Sequence, residues 1–508
     1  MTEIIQKNIK ILALLDVLFL VFITYWFYKR RKETIQFISW IFKIYVSTIR
    51  HHLKNIHILL ILIGMCGLTY LSMYFPLGID ESYTFLRFTK EGIYTSLFTY
   101  PVPNNHVFFS ICTNFIYPLV KLIGAAQSTR LLSLFTTLLF LLFFAAIINK
   151  TAGLQRSVLF IFLYFSIPPF LDYSYQIRGY IFFIVLGILN AIVTFKYCRH
   201  RHFYYLFFLF NFFGFITSPS WLYSFLGFAG VVFISHRKEK NFLRKITFGS
   251  LSLFFSVLLF YSPIIIFYGL DSITKNPYVL PIENFGLIDA IEKLFTIVQF
   301  TTHQNTWISI SIILLLSVSL IYSRKWQFSI IPIILVVVML VLKQEPFDRI
   351  FVGLIAYCLM FILFHLPQLP AIRFNNILVM LFFIPTQFYL VKFMMKDYFT
   401  LDTRLRDFQS TLHSKVQNNQ ITFFYMSKSD LLLNNYSSVY QWPSKKIEYK
   451  LYTSLDSAWK HFNQDKIQDN AIFIHSDKYS NWEQEPSEIS KNLPLELHYP
   501  YGLLIREK

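Results

Sequence analysis

Charge is what this sequence has least of. Asp, Glu, Lys and Arg make up 15% of its 508 residues, against about 25% in soluble globular domains, which argues against an ordinary cytosolic enzyme. Cysteine is scarce too. The four present, Cys66, Cys112, Cys198 and Cys358, all lie in or beside apolar segments, so a disulfide scaffold is excluded. Aromatics are the opposite case: 58 Phe and 32 Tyr exclude a disordered chain. With 55% apolar residues and a mean hydropathy of +0.49, what is left is a polytopic membrane protein.

The charge is also unevenly spread. Residues 397–508 hold 13 Lys and Arg against 14 Asp and Glu, a net charge of −1. Residues 1–396 hold 33 against 14, a net charge of +19. The basic excess therefore belongs to the membrane part. It reads as loops facing the cytoplasm, not as nucleic-acid binding.

A crossing helix needs about 20 apolar residues. About twelve stretches qualify, several at the short limit: 11–28, 57–75, 130–148, 157–171, 179–195, 203–217, 221–235, 246–268, 306–322, 328–342, 349–364 and 376–395. Basic connections at 150–156, 196–201, 236–245, 324–325 and around Arg373 alternate with neutral or acidic ones. With the basic loops in the cytoplasm, the opposite face receives 76–129, 172–178, 218–220, 269–305, 343–348 and the tail. The expected fold is an all-α polytopic membrane protein of about 11–12 transmembrane helices, with a small extracytoplasmic C-terminal α/β domain.

Residues 1–54 read as a signal-anchor helix followed by an interfacial amphipathic helix over 34–49. There Phe37, Ile41, Ile44 and Tyr45 share one helical face. Residues 55–396 form the membrane domain, with outer loops 76–129 and 269–305; the second carries its own amphipathic helix near 287–300. In the tail, 397–508, strands are predicted over 421–426, 447–452, 471–475 and 495–499, with helices near 403–417, 429–437 and 454–464 between them.

The spans are nearly free of charge in their middles. Charged and polar groups gather instead on the outer face, which favours chemistry at the membrane surface over passage through the bilayer. Asp80 and Glu81 follow the 57–75 span directly. A carboxylate there can take a proton from an attacking hydroxyl; it can equally cap a helix starting near 82. Asn104, Asn105 and His106 open the apolar stretch 107–123. Segments 82–98 and 104–123 read as helices lying in the outer interface. Asp172, Arg178 and Tyr180 lie where two spans join, and Arg349 opens another span. Outer-face arginines suit bidentate phosphate binding or simple anchoring at headgroups. His303 sits in the long second loop and is a secondary candidate, with Asp172. No ligand spacing compels a metal, so a divalent ion remains open.

Together, the Asp-Glu after the first core span, the Pro-Asn-Asn-His before an apolar helix, the Arg-x-Tyr after a later span and the Pro-x-x-Arg near the end resemble the GT-C glycosyltransferases. The likeness is to the bacterial branch of protein mannosyltransferases, lipid A aminoarabinose transferases and rhizobial galacturonosyltransferases, and covers roughly 57–395. It implies inverting transfer of a sugar from a polyprenyl-phosphate donor to a glycan, lipid or protein acceptor, at the outer face of a bacterial inner membrane. By that likeness Asp80 is the base and Glu81 a second acidic position, Asn104, Asn105 and His106 form the first-loop motif, and Arg178, Tyr180 and Arg349 meet the donor phosphate. Where the family often has Glu-Ala before its Arg-x-Tyr, this chain has Gln176-Ile177. A transporter or flippase of lipid-linked glycans, and a glycan polymerase or ligase, are the competing readings.

Overall fold

The computed structural model describes residues 28–29, 31–74, 79–100, 105–120, 129–200, 202–274, 282, 284–302, 306–365 and five strands between 423 and 505. The predicted span 11–28 except its last residue, the span 376–395, Asn104, His303 and the three tail helices lie outside them. Two compact units divide the chain: Met1–Met73 with Arg87–Leu390, and Tyr74–Leu86 with Val391–Lys508.

In the first unit the amphipathic segment is helix α1 (Arg31–His52), followed by α2 (Asn55–Tyr74). The short helix α3 (Ile79–Thr84) belongs to the second unit. Then come α4 (Ile93–Phe98), α5 (Val107–Val120), α6 (Leu131–Ala152), α7 (Leu154–Tyr164), α8 (Pro168–Tyr175) and α9 (Tyr180–Lys196). The chain continues through α10 (Phe203–Thr217), α11 (Leu222–His236), α12 (Phe242–Tyr268) and a single turn, α13 (Asp271–Thr274). It closes with α14 (Leu287–Phe300), α15 (Thr306–Ser323), α16 (Ile330–Leu342) and α17 (Val352–His365).

Among the described residues four segments are long and apolar enough to cross a membrane: Asn55–Met73, Leu131–Ala152, Phe242–Tyr268 and Asp348–His365. The pair α7 and α8, bent by 72°, makes a fifth only if it is counted as one broken span. Five shorter apolar helices accompany them. The bend departs from the single predicted span over 157–171, and its cause is local. Pro168 and Pro169 open α8, and a residue before proline is pushed out of the α region. Ile167 obeys, at φ −84° and ψ 110°. The break also places Asp172 on the last turn of a helix, where a loop was predicted.

The core of this unit forms where α9 meets α17. Gly187 and Gly353 let the two backbones touch: a Cβ on Gly187 would fall 2.0 Å from the Gly353 carbonyl oxygen. Small residues at such crossings allow helices to pack closely without a hydrophobic driving force between them. Fully buried Trp221 fills the adjacent gap, against Gly214 and Gly353. Its indole N–H donates to Asn211 Oδ1 at 2.9 Å, and Asn211 donates to Asn190 Oδ1 at 3.0 Å. This chain satisfies three polar groups that would be costly to leave unpaired in an apolar interior.

In the second unit five strands form one sheet: β1 (Phe423–Ser427), β2 (Glu448–Tyr452), β3 (Ala471–Ile474), β4 (Leu495–Tyr499) and β5 (Tyr501–Ile505), in the order β2-β1-β3-β5-β4. β1 runs parallel to β2 and β3, whereas β5 runs antiparallel to β3 and β4. Parallel neighbours need long crossovers, which the chain between these strands is long enough to supply. β5 lies beyond the four strands the sequence predicts.

Candidate functional site

The structure brings His106, Asp172, Arg178, Tyr180 and Arg349 into one neighbourhood of the first unit. Asp80 and Glu81 are carried by α3 of the second. They occupy its first turn, where carboxylates favour the helix dipole. Glu81 is buried and Asp80 partly exposed.

Arg178 owes its position to the end of α8. Gln176 is extended at the helix C-cap, and the Arg178 N–H donates back to the Gln176 carbonyl at 2.8 Å. Gly179 then leads into α9. A Cβ on Gly179 would lie 2.7 Å from His106 Cβ and 2.8 Å from Thr217 Cγ2, so only glycine fits there. His106 is thereby wedged against the Arg178–Tyr180 backbone. Its ring meets the Tyr180 ring edge-to-face, with centroids 4.6 Å apart. The Arg178 guanidinium carbon lies 4.9 Å from the centre of that same Tyr180 ring, a cation–π contact. Tyr173 packs on Tyr180 from α8 at 4.6 Å. The charges of Arg178, Asp172 and Arg349 all act on the Tyr173 phenol.

His106 is 2% exposed, and neither ring nitrogen has a hydrogen-bond partner among the described residues. Burial first, then the Arg178 and Arg349 charges, push its imidazole far below the ordinary value. At neutral pH it is therefore uncharged, and offers one donor and one acceptor. Tyr100 stands nearby. Burial and Tyr180 raise its phenol, and its bond to Ser218 only partly opposes them. The neighbourhood thus joins two permanent cations to neutral hydrogen-bonding rings. That combination suits an anion with attached hydroxyls.

The chain matches no family model, no curated protein and no solved structure.

Asn105, the motif residue beside His106, bonds within its own segment. Its amide donates to the Ser96 and Thr99 carbonyls at 2.9 and 3.0 Å, and its Oδ1 accepts from Ser110 at 2.9 Å. Those bonds fix the entry to α5, and with it His106. Arg349 opens α17 through a short 3₁₀ turn, with its guanidinium carbon 4.7 Å from the centre of the Phe347 ring. That turn is held from α14: Lys293 Nζ lies 2.9 Å from Asp348 Oδ1 and 3.2 Å from Glu345 Oε1. The Ile282 N–H also donates to the Lys343 carbonyl at 2.8 Å, tying the long loop to the same turn.

Sequence reasoning missed Tyr173, Tyr100, Lys293 and Arg130. Arg130 is 1% exposed; it donates to the Ser72 carbonyl at 2.7 Å and lies 5.2 Å from the centre of the Tyr175 ring. A cation at the first residue of an apolar helix was its available signal. Lys293 carried none, since it reads as the polar face of an amphipathic helix. Among the described residues no group of three His, Cys, Asp or Glu comes together to hold a metal ion.

Proposed function

We propose that this chain is an integral-membrane glycosyltransferase. It moves a sugar from a polyprenyl-phosphate donor to an acceptor hydroxyl with inversion, at the extracytoplasmic face of a bacterial inner membrane. The observation that carries the reading is the convergence of Arg178 and Arg349 on one buried, neutral imidazole, His106. A departing phosphate gains negative charge, and fixed guanidinium groups in a partly dry site stabilise it without reorganising. The apolar helices around them suit a donor that arrives laterally within the bilayer. In this reading the chain spans the membrane about 11–12 times, and the tail domain shares the outer side with the site.

The step balances simply. The acceptor oxygen forms a bond to the anomeric carbon as the bond to the phosphate oxygen breaks. The hydroxyl proton passes to the Asp80 carboxylate. The electron pair leaves with polyprenyl phosphate, beside Arg178 and Arg349, while Tyr180 and His106 contact the donor and the sugar hydroxyls.

The test is release of free polyprenyl phosphate, measured by mass spectrometry. Purified protein and an Asp80→Asn variant are each incubated with native polyprenyl-phosphate sugars and a membrane extract. Release by the native protein with at least about a hundredfold loss in the variant supports the mechanism. Equal release by both removes Asp80 from the base role. No release by a folded native protein counts against transferase chemistry.

A further inference from the structure

The end of α17 remote from Arg349 is also basic. Three connections meet there in the first unit: 150–156, 196–202 and 323–329. They contain seven Lys and Arg and no Asp or Glu. A basic cytoplasmic loop is common in membrane proteins. Here, though, the side chains converge on one point. Arg156 Nη1 donates to the Phe364 carbonyl at 2.9 Å. Lys196 Nζ lies 4.5 Å from the centre of the Phe364 ring. His365 is the next residue, its ring edge-on to Phe195 at 5.3 Å and stacked on Phe361 at 4.6 Å. The charges of Lys196, Lys325 and Arg156 all act on His365, and that of Arg156 acts on Lys196. Arg156, Lys196 and His365 are each partly buried.

Like charges gathered in a partly dry place repel one another more strongly than in water. They come from α7, the end of α9 and the turn after α15, all packed against the end of α17, so the helix packing itself forces them together. An anion at this point would relieve the repulsion. The surroundings describe which kind. Tyr322, Trp326 and Ile321, all more than half exposed, flank Lys325. Exposed aromatics beside cations are the mark of the membrane–water boundary, and apolar surface continues along the helices from there. A phosphate attached to acyl chains fits both halves of this environment.

We infer that this end of α17 holds a site for the phosphodiester of an anionic phospholipid. Arg156, Lys196 and Lys325 bind the headgroup, and the acyl chains lie along the exposed apolar flank near Tyr322 and Trp326. Basic pockets between membrane helices take such headgroups. The site is separate from the Arg178–Arg349 neighbourhood: α17 has 14 residues, so its two ends stand about 21 Å apart.

The experiment compares thermal unfolding of the full chain in nanodiscs of phosphatidylcholine alone and with phosphatidylglycerol added. Phosphatidylglycerol is expected to raise the midpoint by about 3 °C or more. An Arg156→Gln/Lys196→Gln variant should lose most of that rise. An Arg237→Gln/Lys238→Gln variant, altered in an exposed loop elsewhere, should keep it. Should the double Arg156/Lys196 variant not fold, Lys325→Gln, at an exposed position, serves in its place. An equal loss in the Arg237/Lys238 variant would mean diffuse attraction and would overturn the site. So would an unchanged rise in the Arg156/Lys196 or Lys325 variant. The same rise with inorganic phosphate in phosphatidylcholine discs would assign the pocket to a free anion and overturn the lipid.

Discussion

Lys293 and Asp348 form an ion pair of 2.9 Å between α14 and the turn that carries Arg349. The Lys293 side chain is 7% exposed and that of Asp348 30%, so the pair sits at the edge of the dry interior. Glu345 joins it at 3.2 Å. Helix α14 is thereby latched to the segment that supplies one of the two arginines. Lys293 also takes up the acidic charge immediately beside Arg349.

Replacing Lys293 with Met should leave two carboxylates facing the arginine turn. Breaking a buried pair costs about 3–5 kcal/mol, and partial exposure of the acids reduces that to about 1–2 kcal/mol. In a donor-dependent assay the apparent KM should rise about tenfold with a smaller fall in kcat, because the turn and not the chemistry is disturbed. Lys293→Arg should restore most of the affinity. Steady-state kinetics beside thermal unfolding checks both.

Arg178 lies over the Tyr180 ring at 4.9 Å. Lysine keeps the charge but loses the planar fork and the ring stacking. Arg178→Lys should lower kcat/KM about a hundredfold while the unfolding midpoint stays within a few degrees. A fall in both together would point to a structural arginine instead.

His106 gives stability a pH dependence whose sign is fixed. Its folded value is pushed down from 6.5 by burial and by the two arginines. The unfolded chain therefore takes up a proton that the native state resists. The contribution is level above about 6.5 and is lost as pH falls below it, by up to about 1.4 kcal/mol per pH unit. His106→Phe should flatten that part of the slope. Unfolding midpoints between pH 7.5 and 5, about the range in which histidine titrates, would show it.

The α9–α17 crossing should tolerate no side chain. A Cβ on Gly187 meets a backbone oxygen at 2.0 Å, and backbone cannot step aside. Gly187→Ala should cost about 3 kcal/mol or more, or prevent folding. Gly67→Ala, where nothing lies within 4 Å, should be neutral. Yield and monodispersity in detergent separate the two.

The helices were readable because their apolar runs are long and their ends are marked. α10 occupies the predicted residues, 203–217, and the amphipathic pattern near 287–300 is the helix Leu287–Phe300. The predicted strands near 421–426, 447–452, 471–475 and 495–499 each overlap an observed one. One miss has a local cause: the predicted span 157–171 contains Pro168, which marks a change of direction between two helices. The sequence marked Asn105 as part of a motif but could not show that its amide bonds the Ser96 and Thr99 carbonyls, because such bonds depend on how the chain folds back.

By itself the sequence determined the apolar helical segments, the basic excess of residues 1–396 and the near-neutral tail, since each depends on composition along a continuous stretch. Only the tertiary structure decided which polar side chains meet. His106, Arg178 and Arg349 lie on three different connections and share one neighbourhood. They come together because the break at Pro168, the bare Gly179 and the Gly187–Gly353 contact set the helix spacing. Close packing is a property of facing surfaces, and no single stretch of chain contains both faces.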